Sequence, residues 1–349
     1  MLKRSGIVPK IGLIGCFVLM VGYISPLFGP ELKGNAATVV IYGFSILEEA
    51  VNKGIVPAFQ KRWMERTGEE VRFYTSFAGS GTVMNQIRFG APADIAIFSH
   101  TLDAYRLQEA GRIQTDWNQF PRRGILNRTP IVFIVRKGNP KGIGGFQDLR
   151  KPGIGIVHPD PQTSGGALWS ILAEYGAFAL AENAVSLKRA SLGGAEKGLY
   201  DIWKNVIVLA SSSRASRTQF EMGFGDILIT YEQEAVKDLA QGKFNHELII
   251  PKETIYAEHQ VVLIDWNILP EEKEVIQAFL DFLWTEEAQQ IFVAFGFRSI
   301  TDEAINRQNK YFREIPSSFT VEDLGGWKAA YSNIVEGIWK KRILEETRG

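Results

Sequence analysis

Four short runs of Gly, Ser and Thr are the chemically suggestive part of this sequence. They are Gly43-Phe44-Ser45, Ala78-Gly79-Ser80-Gly81-Thr82, Thr163-Ser164-Gly165-Gly166 and Ser211-Ser212-Ser213-Arg214-Ala215-Ser216. Each follows an apolar, strand-like stretch and precedes a helix-like one. The first turn of a helix carries backbone N–H groups with no intrahelical partner. Aligned peptide dipoles add partial positive charge there. An anion seated on such an end gains several hydrogen bonds without any cation. Glycine allows close backbone approach, and Ser and Thr add uncharged donors. Helix capping alone explains any one such turn, because Ser and Thr cap well. Ser164-Gly165-Gly166 is the most pointed of the four, since two glycines at a helix start weaken the helix. Arg214 is either a loop salt bridge or a single cation bordering an anion, for which a guanidinium is well shaped.

The elements that position these turns follow a strand, loop, helix rhythm. Val39–Tyr42, Val71–Thr75, Ala93–Phe98, Ile131–Val135, Gly155–Val157, Val206–Leu209, Ile227–Ile229 and Val261–Ile264 are predicted strands. Leu168, Ile171, Leu172 and Tyr175 recur at helical spacing between two of them. Alternation of this kind predicts α/β layers with mostly parallel pairing. Ligands of such sheets lie beyond the carboxyl ends of the strands. The C-terminal third changes character. Glu271 to Phe297 reads mostly as helix, and 318–345 as one or two more, expected to pack back on the first half of the fold.

At 349 residues the chain is long enough for two lobes with a large core. Hydrophobic residues are 45% and charged residues 22%, an ordinary globular balance. Lys3, Arg4 and Lys10 precede an uncharged run from Ile11 to Phe28, and Asn35-Ala36-Ala37 offers small residues for cleavage. This is the order of a secretory signal, with an uncleaved membrane anchor as the alternative. Leu13-Ile14-Gly15-Cys16 also resembles a lipoprotein box, although most of the apolar run lies after Cys16. Cys16 is the only cysteine, so a mature chain has neither disulfides nor a thiolate catalyst. Removing residues 1–37 leaves 35 basic and 38 acidic residues, a net charge of −3. A mildly acidic surface argues against nucleic acid as a partner.

Catalytic signatures are missing. No Gly-x-Ser-x-Gly, Walker A or Gly-x-Gly-x-x-Gly run occurs. His100, His158, His246 and His259 lack metal-ligand spacing. A hydrolase built on Ser80 or Ser164 would need a His or carboxylate brought to it by the fold. The reading is therefore a non-enzyme without metal or cofactor.

The sequence resembles the periplasmic sulfate- and thiosulfate-binding proteins of ABC importers, over about residues 38 to 340. The resemblance is carried by Tyr74-Thr75-Ser76-Phe77-Ala78-Gly79-Ser80-Gly81, by Val135-Arg136-Lys137-Gly138-Asn139-Pro140 and by His158 through Trp169. Gly225-Asp226-Ile227-Leu228-Ile229-Thr230-Tyr231-Glu232 and Gly325-Gly326-Trp327 continue it in order. It implies a two-lobed α/β fold of the type II periplasmic-binding-protein class, with the anion buried between lobes. The lobes expected are 38–128 with 258–349, and 129–257. It also implies ligand contacts at Ser80, Ser164, Gly165, Gly166 and Ser213. Gly43, Ser45, Arg214 and Tyr231 complete the candidate set. Tyr231 stands where the family has an indole, and Tyr42-Gly43-Phe44 where it has Tyr-Asp-Pro. The junctions are nearly free of carboxylates, which favours a proton-free oxyanion such as sulfate or thiosulfate over phosphate, with molybdate another option. The implied partners are that anion and membrane permease subunits. The chain is expected to be exported to the periplasm, free or membrane-tethered, and to act as a monomer. An anchored anion-sensing domain is the remaining alternative.

Overall fold

The computed structural model describes residues 36–181 and 192–348. The expected leader and the Cys16 motif lie outside the described residues, which take in only Ala36 and Ala37 of the expected cleavage site. Among the described residues, no helix is long and apolar enough to cross a membrane.

Ten strands make one hydrogen-bonded sheet, eight of them along a single path. They are β1 (Ala37–Phe44), β2 (Val71–Ala78), β3 (Ile95–Phe98), β4 (Ile125–Val135), β5 (Ile156–Pro159), β6 (Val206–Ala210), β7 (Ile227–Tyr231), β8 (Glu247–Ile249), β9 (Glu253–Leu263) and β10 (Ser317–Phe319). Their order is β2-β1-β3-β9-β4-β7-β5-β6, with β8 on β4 and β10 on β9. All eight predicted strands are present. Mostly parallel pairing is found by a narrow margin, with five strand pairs parallel and four antiparallel among the described residues. Pairing is parallel within β2-β1-β3 and within β7-β5-β6. The two groups are joined antiparallel through β9 and β4.

Those two joining strands are the longest in the fold, at 11 residues each. The first half of β4 pairs with β9 as far as Pro130, and the second half pairs with β7 from Ile131 onward. β9 likewise pairs with β3 at one end and with β10 at the other. Inside this ribbon Asn127 stands opposite His259, and the two side chains share a 2.6 Å hydrogen bond. Burial, then the charge of nearby His100, holds the His259 imidazole down to about 3, so it stays neutral.

The helices cover the sheet in register with its apolar faces. Helix Val56–Thr67 and helix Lys273–Leu283 meet over β1 and β2, with Phe279 about equally close to Phe59 and Phe73 at 5.1 Å. Helix Gly165–Ala181 is different, because almost every residue from Gly165 to Ala179 is buried. A helix apolar all round belongs in the middle of a fold. It packs on β9, β4, β5 and β7. Its one buried carboxylate, Glu174, accepts from the Trp203 indole at 2.9 Å and lies 3.2 Å from His158. Full burial of an aromatic such as Trp169 contributes on the order of 2–3 kcal/mol.

The end of the chain meets expectation in part. Helix Gly326–Ala330 lies against helix Thr101–Glu109, with the Trp327 ring 4.6 Å from His100 and Arg106 over the Tyr331 ring. Helix Tyr331–Leu344, by contrast, packs mainly on helices Gly165–Ala181 and Leu192–Trp203. Ile334, Val335, Ile338, Trp339 and Ile343 form its buried stripe, and Trp339 meets Trp203 edge to face at 5.0 Å. Amphipathic spacing shows that a helix needs a partner surface without naming which one.

Candidate functional site

Each glycine-rich turn does start a helix. Gly79 precedes helix Ser80–Arg88, Gly165 opens helix Gly165–Ala181, and Ser213 opens helix Ser213–Glu221. The N-terminus of the Ser80 helix abuts the turn Thr163–Gly166. The N–H groups of Gly81 and Thr82 both donate to the Thr163 carbonyl, at 3.1 and 3.4 Å. Thr163 Oγ1 donates in turn to the Ser211 carbonyl at 2.9 Å. Three of the four turns therefore meet at one seam, buried at Ser80 and Ser164 and open to solvent at Thr163 and Ser211.

Glycine is required here by proximity. A Cβ on Gly79 would lie 2.3 Å from the Thr163 carbonyl oxygen. One on Gly165 would lie 2.6 Å from Ser99 Cβ, and one on Gly166 2.2 Å from Ser213 Oγ and 3.0 Å from Tyr231 Oη. These close approaches account for the two helix-weakening glycines. They also place Ser80, Ser99, Gly165, Gly166, Ser213 and Tyr231 around one point. Ser164 is buried beside them, with its N–H donated to the Asp160 carbonyl at 2.8 Å. Gly165 and Gly166 start the helix, so their N–H groups have no partner within it.

The first turn joins this group from the side. Ser45 is buried and opens the short turn Ser45–Leu47, which packs on helix Ser213–Glu221. The Phe44 ring lies 6.2 Å from the Tyr231 ring. Gly43 sits under Phe77, whose ring would be 2.6 Å from a Cβ there. Arg214 points elsewhere: its Nη2 is 3.3 Å from Glu234 Oε1.

Two functional groups escaped the sequence reading. Ser99 follows β3 and precedes helix Thr101–Glu109, so it occupies a fifth strand-to-helix turn. Its N–H donates to Ser80 Oγ at 3.1 Å, its carbonyl accepts from the Trp169 indole at 2.7 Å, and its Oγ is 2.8 Å from Tyr231 Oη. The signal was the turn's position, but it has one Ser and no Gly. The second group is Asp103, buried on that same helix. It accepts from Ser80 Oγ at 2.7 Å and from Arg106 Nη1 at 3.0 Å. The junctions themselves are poor in carboxylates, yet the fold brings one to Ser80. His100 Nε2 is 3.7 Å from Asp103, beyond hydrogen-bond reach, and burial keeps that imidazole below its usual range. Of the two groups a serine nucleophile could use, the fold brings the carboxylate of Asp103 to Ser80, and that carboxylate is shared with Arg106.

Tyr231 is fully buried, and burial pushes its phenol well above the usual range despite the hydroxyls of Ser99 and Ser213. It is a neutral group at any physiological pH. The seam is thus built from amide N–H, hydroxyl and indole groups, with its single carboxylate already held by Arg106. Such a set solvates an anion without adding net charge. Among the described residues, no group of His, Cys, Asp and Glu could hold a metal ion.

A charged cluster flanks this seam. Glu49, just after the Ser45 turn, accepts from Lys237 on helix Glu232–Ala240. Arg217 bridges Glu234 at 3.0 Å and also Asp238 and Glu221. Burial alone would raise the Glu49 carboxyl; hydrogen bonds from Lys237 and then Lys53 outweigh it and bring the group to about 2.

Comparison with known proteins agrees with this architecture. The family model for bacterial extracellular solute-binding proteins matches residues 40–298. The sulfate-binding protein of Synechococcus elongatus is 34% identical over 326 residues, covering 91% of this chain and 89% of that protein. The thiosulfate-binding protein of Escherichia coli is 31% identical over 282 residues, covering 78% and 80%. The structure of the sulfate-binding protein SubI from Mycobacterium tuberculosis superposes with a TM-score of 0.76 at 26% identity, over 85% of this chain and 99% of that one. Matched in sequence and in fold over most of its length, the chain belongs to the bacterial extracellular solute-binding proteins and has their two-lobed, type II α/β fold.

Proposed function

We propose that this protein captures sulfate or thiosulfate outside the cytoplasm and delivers it to the membrane permease subunits of an ABC-type importer, without catalysing a reaction. One observation carries the reading: the N-terminal turns of two helices, one from each proposed lobe, abut at a seam lined mainly by main-chain N–H and hydroxyl groups. Gly165 and Gly166 supply main-chain donors, and Ser80, Ser99, Ser213 and Tyr231 supply hydroxyls around them. Ser164, Gly43 and Ser45 shape the surroundings. Arg214 borders the site with its charge shared by Glu234. The names of the relatives favour sulfate and thiosulfate as ligands.

In this reading the lobes are 38–128 with 258–349, and 129–257, with helix Tyr331–Leu344 reaching across to helices Gly165–Ala181 and Leu192–Trp203. β4 and β9 form the hinge. An anion favours closure because only closure gathers donors from both lobes. The protein acts as an exported monomer, with no role for nucleic acid. Isothermal titration with sulfate, thiosulfate, molybdate and phosphate tests the proposal. Saturable heat with sulfate or thiosulfate is expected. Heat with molybdate alone would move the ligand assignment, and silence with all four would end it.

A further inference from the structure

The segment just before β4 takes a backbone shape that its residues do not favour. Arg122, Arg123 and Gly124 are consecutive left-handed residues, with φ of 53°, 56° and 75°. A side chain on such backbone crowds the neighbouring carbonyl, so Gly, or at most Asn or Asp, is the usual occupant. The rest of the protein keeps to this. Among the described residues every other left-handed position is Gly, apart from Asn139. Gly124 conforms as well, since a Cβ there would lie 2.2 Å from Gln260 Nε2. The two arginines do not.

The contacts that hold this turn are made by main chain. The Arg122 carbonyl accepts from the Ile125 N–H, the Arg123 N–H donates to the Phe120 carbonyl at 3.0 Å, and the Arg123 carbonyl accepts from Gln260 Nε2 at 3.2 Å. Asn at either position would make them equally well. The guanidinium groups are what the fold leaves over. Both arginines are exposed. Arg122 reaches the Thr301 carbonyl at 3.4 Å, and among the described residues neither arginine forms an ion pair. They edge a surface hollow of about 500 Å³ whose carboxylates are engaged elsewhere or sunk. Glu303 faces Arg128 at 3.5 Å, Asp302 accepts the Ala304 N–H at 2.7 Å, and half-buried Glu258 feels Arg128 more than Arg123.

Strain that is kept without a use inside the fold points to a use outside it. A small oxyanion does not fit, because caging one takes buried donors and these two are exposed. Adjacent guanidinium groups on a fixed turn suit carboxylates offered by another protein surface, each of which a guanidinium grips with two parallel hydrogen bonds. We propose that Arg122 and Arg123 form a docking point for an acidic segment of the partner protein that receives the ligand. The inference rests on the functional reading given above, and it gives the pair no part in holding the anion.

The test compares Arg122→Asn with Arg123→Asn, as a double variant, against the double variant Arg122→Lys with Arg123→Lys. Both are made in the full chain, in cells lacking their own copy of the protein. Uptake of radiolabelled sulfate, sulfate affinity by calorimetry and the thermal midpoint are read for each. The Asn pair relieves the turn and is expected to melt about 2–4 °C above wild type. It is expected to bind sulfate within about twofold of wild type. Uptake at equal protein level is expected to fall at least about fivefold. The Lys pair keeps both charges on the same turn and is expected to retain at least about half of the uptake. Unchanged uptake with the Asn pair would overturn the inference. So would equal losses in both pairs, because charge would then not be what the partner reads. A midpoint that does not rise would remove the strain and overturn it too. Loss of sulfate affinity in the Asn pair would put the arginines at the anion instead. A wild type that binds no sulfate would remove the functional reading, and the inference with it. Should the Asn pair fail to accumulate, Arg122→Gly with Arg123→Gly takes its place and is read in the same way.

Discussion

Two contacts tie the halves of this molecule together, and they use opposite chemistry. At the glycine turns the contact is neutral: Gly81 and Thr82 N–H on the Thr163 carbonyl, Trp169 on the Ser99 carbonyl, Ser99 against Tyr231. A short way off it is ionic, with Glu49 reaching Lys237 beside Arg214, Arg217, Glu234 and Asp238. Unmatched buried charge costs several kcal/mol, so the ionic contact is strong only when every partner is present. The neutral contact has no such condition. It can exchange a carbonyl for an anion's oxygen without stranding a charge. The charged contact suits holding the halves together, and the neutral one suits choosing what lies between them.

Substitutions can break or sharpen that division. The largest effect is expected at the neutral contact. Gly166→Ala puts a methyl 2.2 Å from Ser213 Oγ, and overpacking of that kind is expected to weaken oxyanion binding about 100-fold. Calorimetry that found less than a threefold change would mean the Gly166 turn is not where the ligand sits. Next comes the ionic contact. Glu49→Gln is expected to weaken binding about tenfold, mostly through faster release, read by stopped-flow fluorescence. Wild-type affinity should also fall in acid. The Glu49 carboxyl is held at about 2 against an ordinary 4.5, so its contribution to closure is complete above 4.5 and is lost as pH drops toward 2. Glu49→Gln should flatten that acid limb, and an unchanged limb would count against a holding role.

Smaller effects separate the contacts further. Trp169→Phe strips the donor from the buried Ser99 carbonyl and is expected to cost about 1 kcal/mol of stability in urea unfolding. A loss of ligand affinity with no loss of stability would instead make the indole a ligand donor. Arg214→Gln is expected to change affinity by less than about threefold, since the guanidinium already faces Glu234. A loss of tenfold or more by calorimetry would restore Arg214 as the cation at the anion.

Much of this was legible in the sequence, for identifiable reasons. The eight strands with compact apolar runs announced themselves. β8 and β10 did not, because three residues such as Glu247–Ile249 carry no period. The first half of β4 was also hidden. Asn127, Arg128 and Thr129 look like loop, yet Asn127 and Thr129 are fully buried because β9 offers a polar partner in His259 and helix Glu232–Ala240 donates the Gln233 N–H to Thr129. Gly79, Gly165 and Gly166 could be found from turn chemistry alone. Ser99 and Asp103 could not, since their importance comes from what the fold lays against them. The terminal helix showed an apolar stripe, but nothing in its own residues chooses between two receiving surfaces.

Pro130 deserves a mechanical reading. It is the residue at which β4 leaves β9 and, one step later, takes up β7. A proline brings no amide hydrogen to a ladder. The crease between the halves therefore falls where the backbone has least bonding to forfeit. If the proposed lobes rotate against one another, this crease lets the motion be a flexing of the paired β4 and β9 ribbons with their ladder intact. Deuterium uptake along β4 and β9 should stay slow throughout that motion, and rapid uptake at Val132 or Ala257 would show that the ribbons come apart instead.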